Sequence, residues 1–485
     1  MWCWKGGSTD DHYTQYFDQH LRCLQLPLIK KISRIVFFSI TLFFYITTQI
    51  MLHYIEDNKG FQAEMIISSE VPLKIGLIDA DLLDHGTKHP NLALLKMSGF
   101  CKGVVAKNGQ HHNVRLICDY SELQSGPLFN SIDFDVIAIS RVFKFTNLPP
   151  IVQRLVDEHL AYYGGTGFFE INGPVLPDEI EHHMPDYHLY DEFIERQTGG
   201  DEVKKKRDWD DYLNYSIGFT TRGCIRHCGF CVNRLLNKVV PWSPVEEFLD
   251  PERPNIYLWD DNIMAAPPAV FKSVMDSLMA TKKPFQFRQG MDIRLMTDAK
   301  AELLSHVRYH GDFIFAFDHY KIDDPKERKQ VEQTIRGLQV WRKHCNKSTK
   351  LYVLVAYDSQ DERDIEGTFF RIQTLMEYGC LPYIMRFEAY HQSRFKGLYI
   401  QIARWCNQPS FFKKKSFRQY CEANEEYHRR KTPQAKKNCA CYQAMLDFEK
   451  EFPDIAAKYF DLRFDQLAST GPNYTNIPER SHRID

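Results

Sequence analysis

The chain has 485 residues, 44% hydrophobic and 26% charged, with a formal net charge of −2. That length admits two or three domains of ordinary size, and the composition is that of a folded protein. The near-neutral charge excludes a global pull toward nucleic acid or anionic membrane, leaving only local patches to supply one. Thirteen cysteines scattered mostly singly exclude a small disulfide scaffold. They fit a reducing, cytoplasm-like compartment in which thiolates stay free to bind metal.

The first 64 residues differ from the rest. From Ile35 to Ile55 no Asp, Glu, Lys or Arg occurs, and Lys30, Lys31 and Arg34 precede the run. This is the length and flank of a membrane segment, although Thr41, Thr47, Thr48, Gln49 and His53 dilute it. Two readings stand: a membrane-anchored form with the rest of the chain facing the cytoplasm, or a dispensable extension ahead of a start at Met65.

Leu73–Asp79 then reads as a buried parallel strand, 91–105 as a helix, and Val114–Cys118 and Phe134–Ile139 as further strands. The alternation predicts a doubly wound Rossmann-like domain over about residues 70–165. Residues 166–210 read as a connector with helix-breaking Pro174, Pro177 and Pro185 and an exposed charged run at 204–211. Gly164-Gly-Thr-Gly167 lacks the Lys and Ser/Thr of a phosphate loop and reads as a glycine turn.

A second alternation starts at Tyr215. Strands are expected at 216–221, 255–259, 284–289, 312–317, 351–356 and 382–387, with helices at 268–280, 327–344 and 361–378 between them. Six such units over 211–392 predict a partial (β/α)6 barrel, whose active site would lie at the C-terminal ends of its strands. The fold class expected is therefore α/β, with a Rossmann-like domain, a partial barrel and a mostly helical C-terminal extension over 393–485. That extension is basic (Lys413-Lys-Lys415, Arg429-Arg-Lys431, Lys436-Lys437) and interleaved with Trp405, Phe411, Phe412, Phe417 and Tyr420. It reads either as a nucleic-acid-binding surface or as amphipathic helices with solvated lysines. Its Cys406, Cys421, Cys439 and Cys441 read either as a second metal site or as free, partly buried thiols.

Just after the first barrel strand stands Thr221-Arg-Gly-Cys-Ile-Arg-His-Cys-Gly-Phe-Cys231. Cys224, Cys228 and Cys231 on one tight loop can hold three corners of a 4Fe–4S cluster, leaving the fourth iron open. A structural zinc site would want a fourth Cys or His, and His227 sits awkwardly between two ligands. CxxxCxxC with an aromatic residue before the last cysteine resembles the signature of the radical S-adenosylmethionine superfamily. The resemblance covers roughly residues 70–390. It implies that the three cysteines are cluster ligands, that S-adenosylmethionine binds the open iron, and that Phe230 packs near the adenine. It also implies that an external one-electron donor such as a flavodoxin or ferredoxin reduces the cluster.

Leu258-Trp-Asp-Asp-Asn262 is similar to the strand-end acidic turn of members that carry a cobalamin-binding-type domain. Asp260, Asp261 and Asn262 then either meet the methionine amino group or form an Asx turn. Gln289 and Asp292, in Gln289-Gly-Met-Asp-Ile-Arg294, offer polar contacts to ribose or carboxylate or else form a salt-bridged rim. Asp318 and His319 read either as a substrate-facing pair or as a solvated strand end. The N-terminal domain resembles the cobalamin-binding domain of that subgroup in position and pattern. Asp84-His85-Gly86, however, is too compressed for the Asp-x-His-x-x-Gly that supplies a histidine ligand to cobalamin. Methylthiolation of tRNA would need a second cysteine cluster before the barrel, where only Cys101 and Cys118 stand. A rival of another class is a non-catalytic iron–sulfur or zinc protein acting as a nucleic-acid-binding or assembly factor.

Overall fold

The computed structural model describes residues 60–124, 132–169, 173–233 and 236–468. The apolar run at 35–55 lies outside the described residues. Among those described, no helix is long and apolar enough to cross a membrane.

The N-terminal unit is a four-stranded parallel sheet in the order β2-β1-β3-β4. Its strands are β1 (Lys74–Asp79), β2 (Asn113–Leu116), β3 (Val136–Ser140) and β4 (Tyr162–Gly164). After its first residue β1 is buried throughout, as a central parallel strand covered on both faces must be. Ile75 and Leu77 share one face and core with Leu94 and Leu95 of helix α2 (Leu92–Gly103). Ile78 joins Ile137, Ile139, Val152 and Leu155 on the other, beneath helix α3 (Pro150–Asp157). Helix α1 (Ala80–His85) follows β1 without a linker because Asp79 is its N-cap, accepting a hydrogen bond from Leu82 N at 3.1 Å. The glycine run at 164–167 is a turn closed on Arg141: Gly165 has φ +103°, and a Cβ there would meet the Arg141 carbonyl at 2.3 Å. The stretch expected to be a connector carries short helices at Asp191–Thr198 and Glu202–Asp208. Tyr190, Phe193 and Ile194 in it are buried in the sheet's core, while the lysine-rich helix buries nothing.

The second unit is a six-stranded parallel half-barrel. Strands β5 (Tyr215–Gly218), β8 (Asn255–Leu258) and β9 (Phe285–Phe287) form one run, and β10 (Phe313–Ala316), β11 (Thr349–Val355) and β12 (Leu381–Arg386) the other. Parallel bridges Phe285–Tyr309 and Met291–Phe315 join the runs. Helices α4 (Pro268–Ala280), α5 (Asp298–His306), α6 (Pro325–His344) and α7 (Glu362–Glu377) cover the outside. The first strand is shorter than the expected 216–221. It leaves the sheet after Gly218, and Thr221–Arg222 (β6) pairs antiparallel with Val240–Pro241 (β7). The cause is a buried aspartate described below, which captures the Thr220 and Thr221 amides.

The C-terminal helices α8 (Lys396–Cys406), α9 (Phe417–Lys431), α10 (Ala440–Glu451) and α11 (Pro453–Tyr459) share one continuous core with the barrel. Asn407 finishes the open edge of β12: its Oδ1 accepts from Ile384 N at 2.7 Å and its Nδ2 donates to Ile384 O at 3.1 Å. Side-chain bonds of this kind satisfy edge groups that would otherwise recruit another strand.

Candidate functional site

The cysteine loop leaves the C-terminal end of the first barrel strand. Gly223 opens it with φ +95°, and a Cβ there would lie 2.1 Å from the Lys238 carbonyl, so only glycine fits. Cys224 N then donates to Leu236 O at 3.1 Å, and Cys231 N to Cys228 O at 3.0 Å. The sulfurs accept from backbone as well: Arg226 N to Cys224 Sγ and Asn233 N to Cys231 Sγ, each 3.4 Å. All three thiols are half-buried. Burial pushes the Cys228 thiol up to about 11.

Side chains from the ends of the following strands grip this loop. Asp260, 3% exposed, accepts four hydrogen bonds, from Thr220 N (3.0 Å), Thr220 Oγ1 (2.6 Å), Thr221 N (2.7 Å) and Thr221 Oγ1 (2.6 Å). Burial raises its pKa, and these donors oppose the rise. Asp261 holds both ends of the loop, accepting from Gly223 N at 2.7 Å and from Asn233 Nδ2 at 2.6 Å. Asn262 donates through Nδ2 to Cys224 Sγ at 3.3 Å, while its Oδ1 is buried without a partner. Asp292 accepts from Arg226 Nε at 2.8 Å and Arg294 Nε at 2.6 Å. Burial alone would raise its pKa; the Arg294 hydrogen bond and the charges of Arg294 and Arg226 outweigh it and hold the carboxyl below its ordinary value. Gln289 is exposed.

Phe230 meets Tyr357 edge to face at 5.3 Å, and Tyr357 is backed by Phe387 at 4.9 Å. Tyr357 passes so close that a Cβ on Gly229 would lie 2.1 Å from its hydroxyl. It is delivered there by Ala356, whose φ of +61° is strained for a residue with a Cβ. Ala356 N is held by Asp364 Oδ2 at 2.8 Å, and the same oxygen accepts from Tyr399 Oη at 2.7 Å. Cys228, Phe230, Asp318, His319, Glu327 and Tyr357 line a cavity of ≈ 190 Å³. Asp318 and His319 are thus at its wall. Burial raises the Asp318 pKa against the nearby Arg371 charge. Arg371, wholly buried, ties Asp318 O and Leu354 O together at 3.1 and 2.8 Å. His319 bridges Arg294 Nη1 (2.7 Å) and Glu327 Oε1 (3.0 Å). Arg226 and Arg294 stood inside the motifs read from the sequence, and their pairing with Asp292 matches the salt-bridged rim expected there; residue patterns gave no hint of Tyr357, Arg371 or Tyr399.

The donor set suits an iron–sulfur cluster: three thiols on one loop, stabilised by amide donors, with an orphan acceptor on Asn262 beside them. Among the described residues no three His, Cys, Asp or Glu side chains converge as ligands of a single ion. The thiolates of a cubane bind different irons and stand apart. Of the C-terminal cysteines, Cys406 is buried in the shared core, and Cys421 and Cys441 meet at an Sγ–Sγ distance of 3.4 Å. Cys101 and Cys118 are buried in the N-terminal unit. His85 engages Gly86 O (3.0 Å) and Thr146 Oγ1 (3.1 Å) through its two ring nitrogens, and Asp84 holds Asn147 N at 3.0 Å.

No family model and no curated protein sequence matches the chain. Among solved structures it is similar to the cobalamin-dependent S-adenosylmethionine radical enzyme OxsB with aqua-cobalamin bound, at 12% identity and a TM-score of 0.32, over 65% of this chain and 49% of that one. It is also similar to the apo, selenomethionine-labelled form of the same enzyme, at 14% identity and a TM-score of 0.28, over 67% of this chain and 49% of that one. The chain spans about half the length of these structures.

Proposed function

We propose that this chain is a radical S-adenosylmethionine enzyme. The observation that carries the reading is the CxxxCxxC loop at the mouth of a six-stranded parallel half-barrel, gripped by Asp260, Asp261 and Asn262 from the end of the neighbouring strand. Cys224, Cys228 and Cys231 would hold a 4Fe–4S cluster with one iron left for the methionine of the cofactor. When bound, the cluster supplies one electron to the sulfonium of S-adenosylmethionine, whose cleavage yields the 5′-deoxyadenosyl radical.

The protein's part is binding, orientation and exclusion of water. Asp260 and Asp261 fix the loop's entry and exit and so act as positioning residues. The free Oδ1 of Asn262 suits an N–H donor such as the methionine amino group. Phe230, stiffened by Tyr357 and Phe387, offers an apolar ring edge to the adenine. Asp292 keeps the Arg226 and Arg294 guanidinium groups beside the loop, where a carboxylate would be bound. A low-potential one-electron donor of the flavodoxin or ferredoxin kind would supply the electron.

The test is anaerobic reconstitution of the full chain with iron and sulfide, reduction with dithionite, and measurement of 5′-deoxyadenosine formed from S-adenosylmethionine. The expected result is about four irons per chain and cluster-dependent product, both lost in Cys228→Ala. Product that persists in Cys228→Ala, or zinc bound in place of iron with no affinity for the cofactor, overturns the reading.

A further inference from the structure

We propose that the C-terminal helices form a second binding site, for a phosphate-bearing ligand, independent of the cysteine loop. A cavity of ≈ 280 Å³ lies between α8, α9 and the first turn of α10. Its wall carries Arg404, His428 and Lys431, and no described Asp or Glu lines it. Among the described residues none of these three groups forms an ion pair, whereas Arg418 and Arg429 of α9 are neutralised. Arg418 is bound to Glu449 and Asp461, and Arg429 to Glu425. Glu425 of α9 is held by Arg429 and by Cys439 N at 2.7 Å. Positive charge gathered around a concavity with no described acid in its lining is what an anion requires.

Gln401 makes the case more than electrostatic. It is 5% exposed, lines the cavity, and its side chain hydrogen-bonds no other described residue. A phosphate oxygen in the cavity would accept from its amide. The first turn of α10 presents Ala440 and Cys441 to the same space, adding the positive end of a 12-residue helix. Tyr427, 53% exposed, stands at the mouth, with Arg430 5.6 Å and Lys431 5.9 Å from its ring centroid. Two cationic side chains, an imidazole, an amide donor, a helix terminus and an aromatic ring are components of a nucleotide site. The phosphate can belong to a free mononucleotide or to a nucleic-acid strand.

Calorimetric titration of the full chain with adenosine 5′-monophosphate and with a short single-stranded RNA, at fixed ionic strength, tests this. Binding should weaken about tenfold or more in the double variant Arg404→Gln/Lys431→Gln, and several-fold in Gln401→Leu, which leaves the charge unchanged. Lys329→Gln, an exposed cation on α6, should bind as the parent does. Loss of mononucleotide affinity assigns the site to a free nucleotide. RNA binding with the same losses but no mononucleotide binding assigns it to a strand. Absence of binding to either probe, or affinities unmoved by the surface double variant, overturns the proposal.

Discussion

Asp260 offers the sharpest test of how the cysteine loop is held, because its carboxylate serves four donors from a place 39–40 residues away along the chain. In Asp260→Ala the amides of Thr220 and Thr221, at residues 4% and 0% exposed, lose their acceptor. Each buried unsatisfied donor costs about 1–3 kcal/mol, so the pair costs about 2–6 kcal/mol, with the two hydroxyls free to rotate toward other partners. That is a large share of the roughly 5–15 kcal/mol that holds a folded domain. Asp260→Asn keeps the oxygen that takes three of the bonds and turns an amide nitrogen toward Thr220 N–H, a cost of about 1–3 kcal/mol. Removing a buried charge whose pKa burial raises offsets part of it. The expected order of stability is parent, then Asn, then Ala, read by urea unfolding of the metal-free protein at pH 7. Iron content after reconstitution should fall in the same order. If both variants unfold within about 0.5 kcal/mol of the parent and load iron fully, Asp260 does not organise the loop. An Ala variant more stable than the Asn variant would refute the hydrogen-bond accounting.

Further expectations come from close approaches and from burial. Gly223→Ala should destabilise the loop by about 1–3 kcal/mol or more, since it meets both a positive φ and the Lys238 carbonyl; lower iron occupancy at unchanged far-UV dichroism is the readout. Gly229→Ala should be costly alone and partly rescued by Tyr357→Phe, which removes the hydroxyl 2.1 Å from the new methyl group. A double-mutant cycle should return a coupling of about 1 kcal/mol or more, and additive effects would contradict the contact. Burial pushes Asp79 up to about 6 from 3.8, against hydrogen bonds from Tyr190 and Leu82. A carboxyl raised in the folded state lends stability that is complete below its unfolded pKa and lost as pH rises through the folded one. Asp79→Asn should therefore gain on the parent by roughly 3 kcal/mol between about pH 3.5 and 7, and a flat difference across that window would refute the assignment.

The apolar runs of the parallel strands, the helices between them and the spacing of Cys224, Cys228 and Cys231 are local patterns, and they were legible in the chain itself. Short or unspaced elements were not: β4 has three residues and α1 starts on the residue directly after β1, so neither leaves a period to read. The first barrel strand shows the limit most plainly. Its expected span runs to Thr221, but Asp260 draws off two amides and ends the strand at Gly218. The basic tail likewise reads as one cationic stretch, whereas folding pairs Arg418 and Arg429 with acids and leaves Arg404 and Lys431 facing a cavity. Sequence alone determined that three cysteines share one short loop after a strand and where most of the strands run, because spacing and backbone periodicity are short-range. Tertiary structure alone decided which carboxylates clamp the loop, which ring backs Phe230 and which cations stay unpaired, because those partners meet only when the ends of separate strands and helices converge.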